Sequence, residues 1–195
     1  MLALAAATTA HADGDPASDF LVTQKVFLPY DARISATRSE QLAALASDAA
    51  REGYPIRIAL IASPVDLGSV TALWAKPQQY AKFLAAEVSF AYRGRLLIVM
   101  PEGLGTDQLG HPSGRQRHAL GGLKVEPGAN GLAATAITAV ERLAATRGIT
   151  LRTRPFASPS KRNSNDRLRL GLIVAAALVV IAALLPVLRR RRRRH

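Results

Sequence analysis

Ile56-Arg57-Ile58-Ala59-Leu60-Ile61-Ala62 is an almost unbroken aliphatic run with one charge, at its second position. A strand packed on one face alternates apolar and polar residues, whereas a strand covered on both faces is apolar throughout. The run therefore predicts a central strand of a parallel sheet. Leu96-Leu97-Ile98-Val99-Met100 repeats the pattern and stops at Pro101, which predicts a second buried strand beside it.

The segments around these two runs read as helices and turns. Thr37-x-x-Glu40 has the capping-box form, and Leu42, Leu45, Ala46 and Ala49 then recur at helical spacing up to Gly53. Between the strands, residues 63–68 read as a loop and 70–74 as a short helix. Pro77 opens a longer helix reaching about residue 92, with Tyr80, Phe83, Leu84, Val88 and Ala91 inward and Gly94 at its end. Upstream, residues 13–19 form an acidic leader, and 20–30 read as a third strand ended by Pro29. Downstream, residues 102–128 are long, Gly-rich and polar, with room for a short strand near 122–125. Asn130 is placed to cap a last helix over 132–147, with Ala136, Val140 and Leu143 inward. The order strand, helix, strand, helix, strand predicts an α/β fold. The expected form is a three-layer α/β sandwich around a small, mostly parallel sheet of three or four strands, with right-handed crossovers.

Charge is distributed unevenly. The chain carries a formal net charge of +12, but residues 13–151 hold 14 basic and 13 acidic side chains. Residues 152–195 hold 12 basic and one acidic. A nucleic-acid-binding body would concentrate positive charge in the folded region, so no nucleic-acid partner is expected. Cysteine is absent, which excludes disulfides, thiolate metal sites and a cysteine nucleophile.

The basic excess flanks one feature. Residues 170–188, bounded by Leu170 and Leu188, are 19 residues without a charge, followed at once by Arg189 to Arg194. At ~1.5 Å per residue the run spans about 28 Å, close to the hydrocarbon thickness of a bilayer. It is apolar all round, which predicts one C-terminal transmembrane helix over 168–188 rather than a buried soluble helix. The lipid bilayer is thus an expected partner, through Leu170 to Leu188 and through Arg189 to Arg194. Arginine-rich flanks stay cytoplasmic. Residues 2–10 are short and mostly apolar, and Ala10-His11-Ala12 fits a signal-peptidase site, so residues 1–12 read as the remnant of a signal peptide. Together these place residues 20–150 outside the membrane as an extracytoplasmic α/β domain. Residues 151–167 form a basic flexible linker and 189–195 a cytoplasmic tail. A tail-anchored cytoplasmic protein would instead have to translocate six arginines.

Candidate chemistry gathers after the strands, where open α/β sheets bind ligands. Asp31, Asp66 and Glu102 each follow a predicted strand end, with Asp107 and His111 close by. Three carboxylates could hold Ca²⁺ or Mg²⁺ through oxygen. Asp31 and Asp66 could equally be turn residues bonding their own backbone. No G-x-x-x-x-G-K-[ST], no G-x-S-x-G and no zinc-like histidine pair is present, so no catalytic residue is assigned. The Gly103-Leu104-Gly105 stretch reads as a turn or irregular loop rather than a phosphate cradle.

Tyr30-Asp31-Ala32 before a capped helix, Gly53-x-Pro-Ile-Arg-Ile-Ala-Leu-Ile, Tyr80-Ala81-x-Phe83-Leu84, and Gly94-Arg95-Leu96-Leu97-Ile98-Val99 before Gly103-Leu104-Gly105 together resemble the TPM domain. The resemblance covers roughly residues 20–105. It implies an α/β module, exported and tethered by one C-terminal membrane helix, with metal binding and phosphatase activity in some members. The chain departs from that family where Pro101-Glu102 replaces an acidic pair, so only Asp31, Asp66 and Glu102 carry over as metal candidates. Two functions follow as expectations. One is a non-catalytic interaction or assembly module of the cell envelope, with an envelope protein as partner. The other is a metal-dependent, phosphatase-like hydrolase.

Overall fold

A computed structural model describes residues 14–109 and 114–153. The expected signal-peptide remnant (1–12), basic linker beyond residue 153, transmembrane helix (168–188) and tail (189–195) lie outside the described residues. Among the described residues no helix is long and apolar enough to cross a membrane.

Four strands form one sheet in the order β1 (Val26–Phe27), β2 (Ile56–Leu60), β3 (Arg95–Met100) and β4 (Gly103–Asp107). β1 and β3 both run parallel to β2, and β4 returns antiparallel to β3 with Met100 opposite Gly103 and Leu96 opposite Asp107. The sheet is thus mostly parallel and the fold α/β, as the two aliphatic runs predict. The helices are α1 (Pro16–Leu21), α2 (Ala36–Arg51), α3 (Pro77–Glu87), α4 (Gly114–Leu120) and α5 (Gly128–Ala145), and a 3₁₀ stretch spans Pro64–Leu73.

Alternation along β2 and β3 divides the core in two. Ile56, Ile58, Leu60, Leu97 and Val99 pack with Leu42 and Leu45 of α2 and with Leu132, Val140 and Leu143 of α5. The opposite residues, Ala59, Ile61, Leu96, Ile98 and Met100, pack with Ala17 and Leu21 of α1 and with Tyr80 and Leu84 of α3. Arg57 is the one charge on this second face of β2. Its guanidinium lies 4.0 Å from the Tyr92 ring centroid and donates to the Leu21 carbonyl, so the charge is stacked and bonded rather than bare.

This packing corrects the expected crossovers. The strand order advances in one direction from β1 to β2 to β3, yet α2 covers one face and α3 the other. Two right-handed connections advancing the same way would place both helices on one face. The two connections therefore have opposite hands. Both central strands are apolar on both sides, and dividing α2 and α3 between the faces covers each of them.

Three other expectations change. Residues 20–30 do not form one strand: Asp15 caps α1, Pro16 sits in its first turn, and only Val26–Phe27 pair with β2. The cap of α2 is Ser35, whose hydroxyl accepts from the Arg38 N–H at 3.4 Å, not Thr37. Residues 102–128 hold β4 and α4 rather than a strand near 122–125, and α5 begins at Gly128. Asn130 does not cap α5; its Oδ1 accepts from the Ser35 N–H at 2.9 Å and ties the starts of α2 and α5 together. Gly105 is needed for close approach, since a Cβ there would stand 2.0 Å from the Pro77 carbonyl oxygen.

α1 is docked by a buried polar pair. Asp15 is 4% exposed, and its Oδ1 accepts from the Tyr80 hydroxyl at 2.6 Å and from the Ala17 N–H at 3.4 Å. Its Oδ2 is buried without a partner. Burial pushes the Asp15 carboxyl from its ordinary 3.8 up to about 6, against the pull of the Tyr80 bond. A folded value above the unfolded one means that folding favours the protonated carboxyl. The stabilisation is fully present below about 4 and is lost as pH rises through about 6, a change of about 3 kcal/mol. Urea unfolding at a series of pH values should show this loss in the native chain and a flattened profile in Asp15→Asn.

Candidate functional site

The sheet presents the ends of β1, β2 and β3 at one edge, and the three candidate carboxylates follow those ends. Asp66 is 1% exposed in the turn after β2. Its Oδ2 accepts from the N–H of Ala62 at 2.8 Å and of Ser63 at 3.0 Å, and from the Ser63 hydroxyl at 3.4 Å. Its Oδ1 accepts from the Tyr30 N–H at 3.2 Å. Both oxygens are thus committed to holding the β1 and β2 loops against each other. Asp31 and Glu102 are exposed, Asp31 one residue past that bond and Glu102 in the β3–β4 turn. Among the described residues no group of three or more Asp, Glu and His is arranged to hold a metal ion, and Asp31, Asp66 and Glu102 do not form one.

The same edge carries apolar surface. Tyr30 is 69% exposed, Val65 66% and Phe20 43%. Phe27 lies between two of them, with its ring edge-to-face to Phe20 and to Tyr30, each at 5.8 Å between centroids. Tyr30 and Val65 each adjoin the Asp66 bonds, so the loops that display them are fixed from beneath. Single exposed apolar residues are ordinary, but aromatic and aliphatic groups gathered at one end of the sheet are the composition of a contact surface.

Polar groups cluster at the opposite edge, where β2 and β3 begin and β4 ends. Tyr54, 1% exposed, carries the Arg95 guanidinium 4.1 Å above its ring centroid. Burial raises the Tyr54 hydroxyl, with Arg95 pulling the other way. The Tyr92 hydroxyl donates to the Arg95 carbonyl at 3.1 Å, and burial pushes it up to about 12. Asp107 (1% exposed) and Gln116 (6%) are buried nearby in sequence register, Asp107 at the end of β4 and Gln116 in α4. Of this cluster only Asp107 was among the candidates read from the chain; Asp15, Tyr54, Arg95 and Gln116 were not. Asp15-Pro16 has a visible helix-start signature, whereas Tyr54 and Arg95 read simply as strand-flanking residues.

Comparison with family models, with curated proteins and with solved structures gives no match. The TPM resemblance therefore rests on the residues that carry it. Replacing Asp66 by Asn would set an amide N–H₂ against N–H donors and break the tie to Tyr30. Asp66→Asn should cost about 2–4 kcal/mol in urea unfolding, with local exchange protection lost first at Tyr30 and Ser63.

Proposed function

We propose that this chain is a single-pass, membrane-tethered extracytoplasmic α/β module of the cell envelope that acts by holding a protein partner rather than by catalysis. The observation that carries the reading is the exposed pair Tyr30 and Val65, displayed on loops that Asp66 locks together, with Phe20 of α1 beside them against Phe27. Aromatic side chains offer large contact area at small entropic cost, and fixed loops add none of their own. The near-neutral body favours a protein surface over nucleic acid as the partner. A metal-dependent, phosphatase-like function has less support, because Ca²⁺ or Mg²⁺ would have to displace the four donors that Asp66 already accepts.

The tether supplies location. Residues 170–188 have the length and composition to span a bilayer, and Arg189 to Arg194 hold the tail in the cytoplasm. The absence of native cysteine makes this directly measurable. In intact cells a membrane-impermeant maleimide should label Arg38→Cys on the exposed start of α2, and should label His195→Cys only after lysis. The reverse pattern would remove the extracytoplasmic assignment.

Partner holding is tested by affinity capture from envelope extract with the full-length chain in detergent. The native chain should retain a discrete partner that Tyr30→Ser/Val65→Asp loses while keeping its melting temperature. Identical bound sets for the two chains would count against the reading.

A further inference from the structure

At the edge of the sheet away from Tyr30 and Val65 lies a cavity of about 160 Å³, lined by Gln108, Arg115, Gln116, Thr146 and Arg147. Two of these side chains are guanidinium groups, Gln108 carries an amide N–H₂, and none is a carboxylate; the Thr146 hydroxyl donates to the Leu143 carbonyl at 2.6 Å. They come from three separate parts of the chain. Gln108 follows β4, Arg115 and Gln116 open α4, and Thr146 and Arg147 close α5.

The wall behind the cavity is also rich in donors. The buried Tyr54 hydroxyl has Gln116, Thr146 and Arg147 around it. Arg95 is stacked on the Tyr54 ring, 9% exposed, with its Nε buried and without an acceptor. A buried guanidinium nitrogen lacking an acceptor is costly, and a bound anion nearby offsets that cost. Two features oppose an anion: the Asp107 carboxylate beside Gln108, and the negative end of the α5 dipole. Against them stand the two guanidinium groups that line the cavity, Arg115 and Arg147, with Arg95 stacked on Tyr54 behind it. A second, larger cavity lies nearby, lined by Asp48, Arg51, Glu52, Thr150, Leu151 and Arg152. There Arg51 is already paired with Asp48, so its charge is matched within the protein.

We propose that the cavity between Gln108, Arg115, Gln116, Thr146 and Arg147 binds a phosphate group. Guanidinium forks from two elements, Arg115 and Arg147, match the oxygens of a phosphate, and the Gln108 amide supplies a further donor. The phosphate is either free or that of a lipid headgroup. A headgroup is a candidate source because residues 170–188 of the same chain have the length and composition of a membrane span.

The test uses the full-length chain in maltoside micelles, which contain no phosphate. Calorimetric titration with inorganic phosphate and, separately, with short-chain phosphatidic acid should give saturable binding of at least one probe. Arg115→Ala/Arg147→Ala should weaken it by about tenfold or more, whereas Arg38→Ala on the far side should leave it unchanged. Tighter binding of the lipid identifies a headgroup as the source, and equal binding of both identifies phosphate itself. Amide resonances of Gln116 and Thr146 in the native chain give a readout that needs no variant, and they should shift on binding. No binding of either probe at about 10 mM, binding that the double variant leaves intact, or shifts confined to other residues would overturn the proposal.

Discussion

Burial of β2 and β3 on both faces is the constraint from which the rest of the body follows. Ile56, Ile58 and Leu60 point one way and Ala59 and Ile61 the other, and β3 divides in the same manner. Neither face can be left to water, because each carries several aliphatic side chains whose exposure would cost about 25 cal/mol per Å². Two helical layers are therefore required. With only two helices linking three parallel strands, coverage of both faces places α2 and α3 on opposite sides, and the hands of the two connections differ. The short helix α1 completes the second layer beside α3, and α5 completes the first beside α2.

A sheet closed on both faces leaves its two ends as the places where polar groups and ligands can meet. At the end where the parallel strands finish, a carboxylate is spent on structure: Asp66 gathers donors from Tyr30, Ala62 and Ser63 and stiffens the loops above it. The consequence is a firm display of Tyr30 and Val65 rather than an open coordination site. At the other end the balance is reversed. Arg115 and Arg147 line a cavity there together with Gln108, and Arg95 is stacked on Tyr54 behind it. The two ends thus differ in chemistry, with exposed apolar side chains at one and guanidinium groups at the other, and the two proposals follow that difference.

In the proposed reading a membrane tether gives these surfaces their setting. The body is close to electrically neutral and the basic residues lie around the apolar run, which fits a role for charge in orientation and attachment to anionic lipid. A module that works by contact benefits from this arrangement, since confinement at a membrane raises its effective concentration toward partners on the same surface.

The α/β class, the two central strands, the inward faces of α2 and α5 and the buried Tyr80, Leu84 and Val88 were legible in the chain because each is a local pattern, an aliphatic run or a helical repeat; Ala91, expected inward, lies beyond the end of α3 and is exposed. Asp66 could be named as a candidate from its position after β2, but its role could not, because an Asp after a strand is equally a ligand and a turn residue until its donors are in place. The start of α1 was masked by Phe20, Val22, Val26 and Leu28, whose alternation imitates a strand that extends past the two residues paired in β1. β4 was hidden because Gly103 and Gly105 lack the side chains by which a strand is recognised, although Gly105 is what lets α3 approach it. The hands of the connections and the cavity between Arg115 and Arg147 depend on which residues meet across the sheet. Such meetings are set by packing between segments far apart in the chain, and only the tertiary structure decides them.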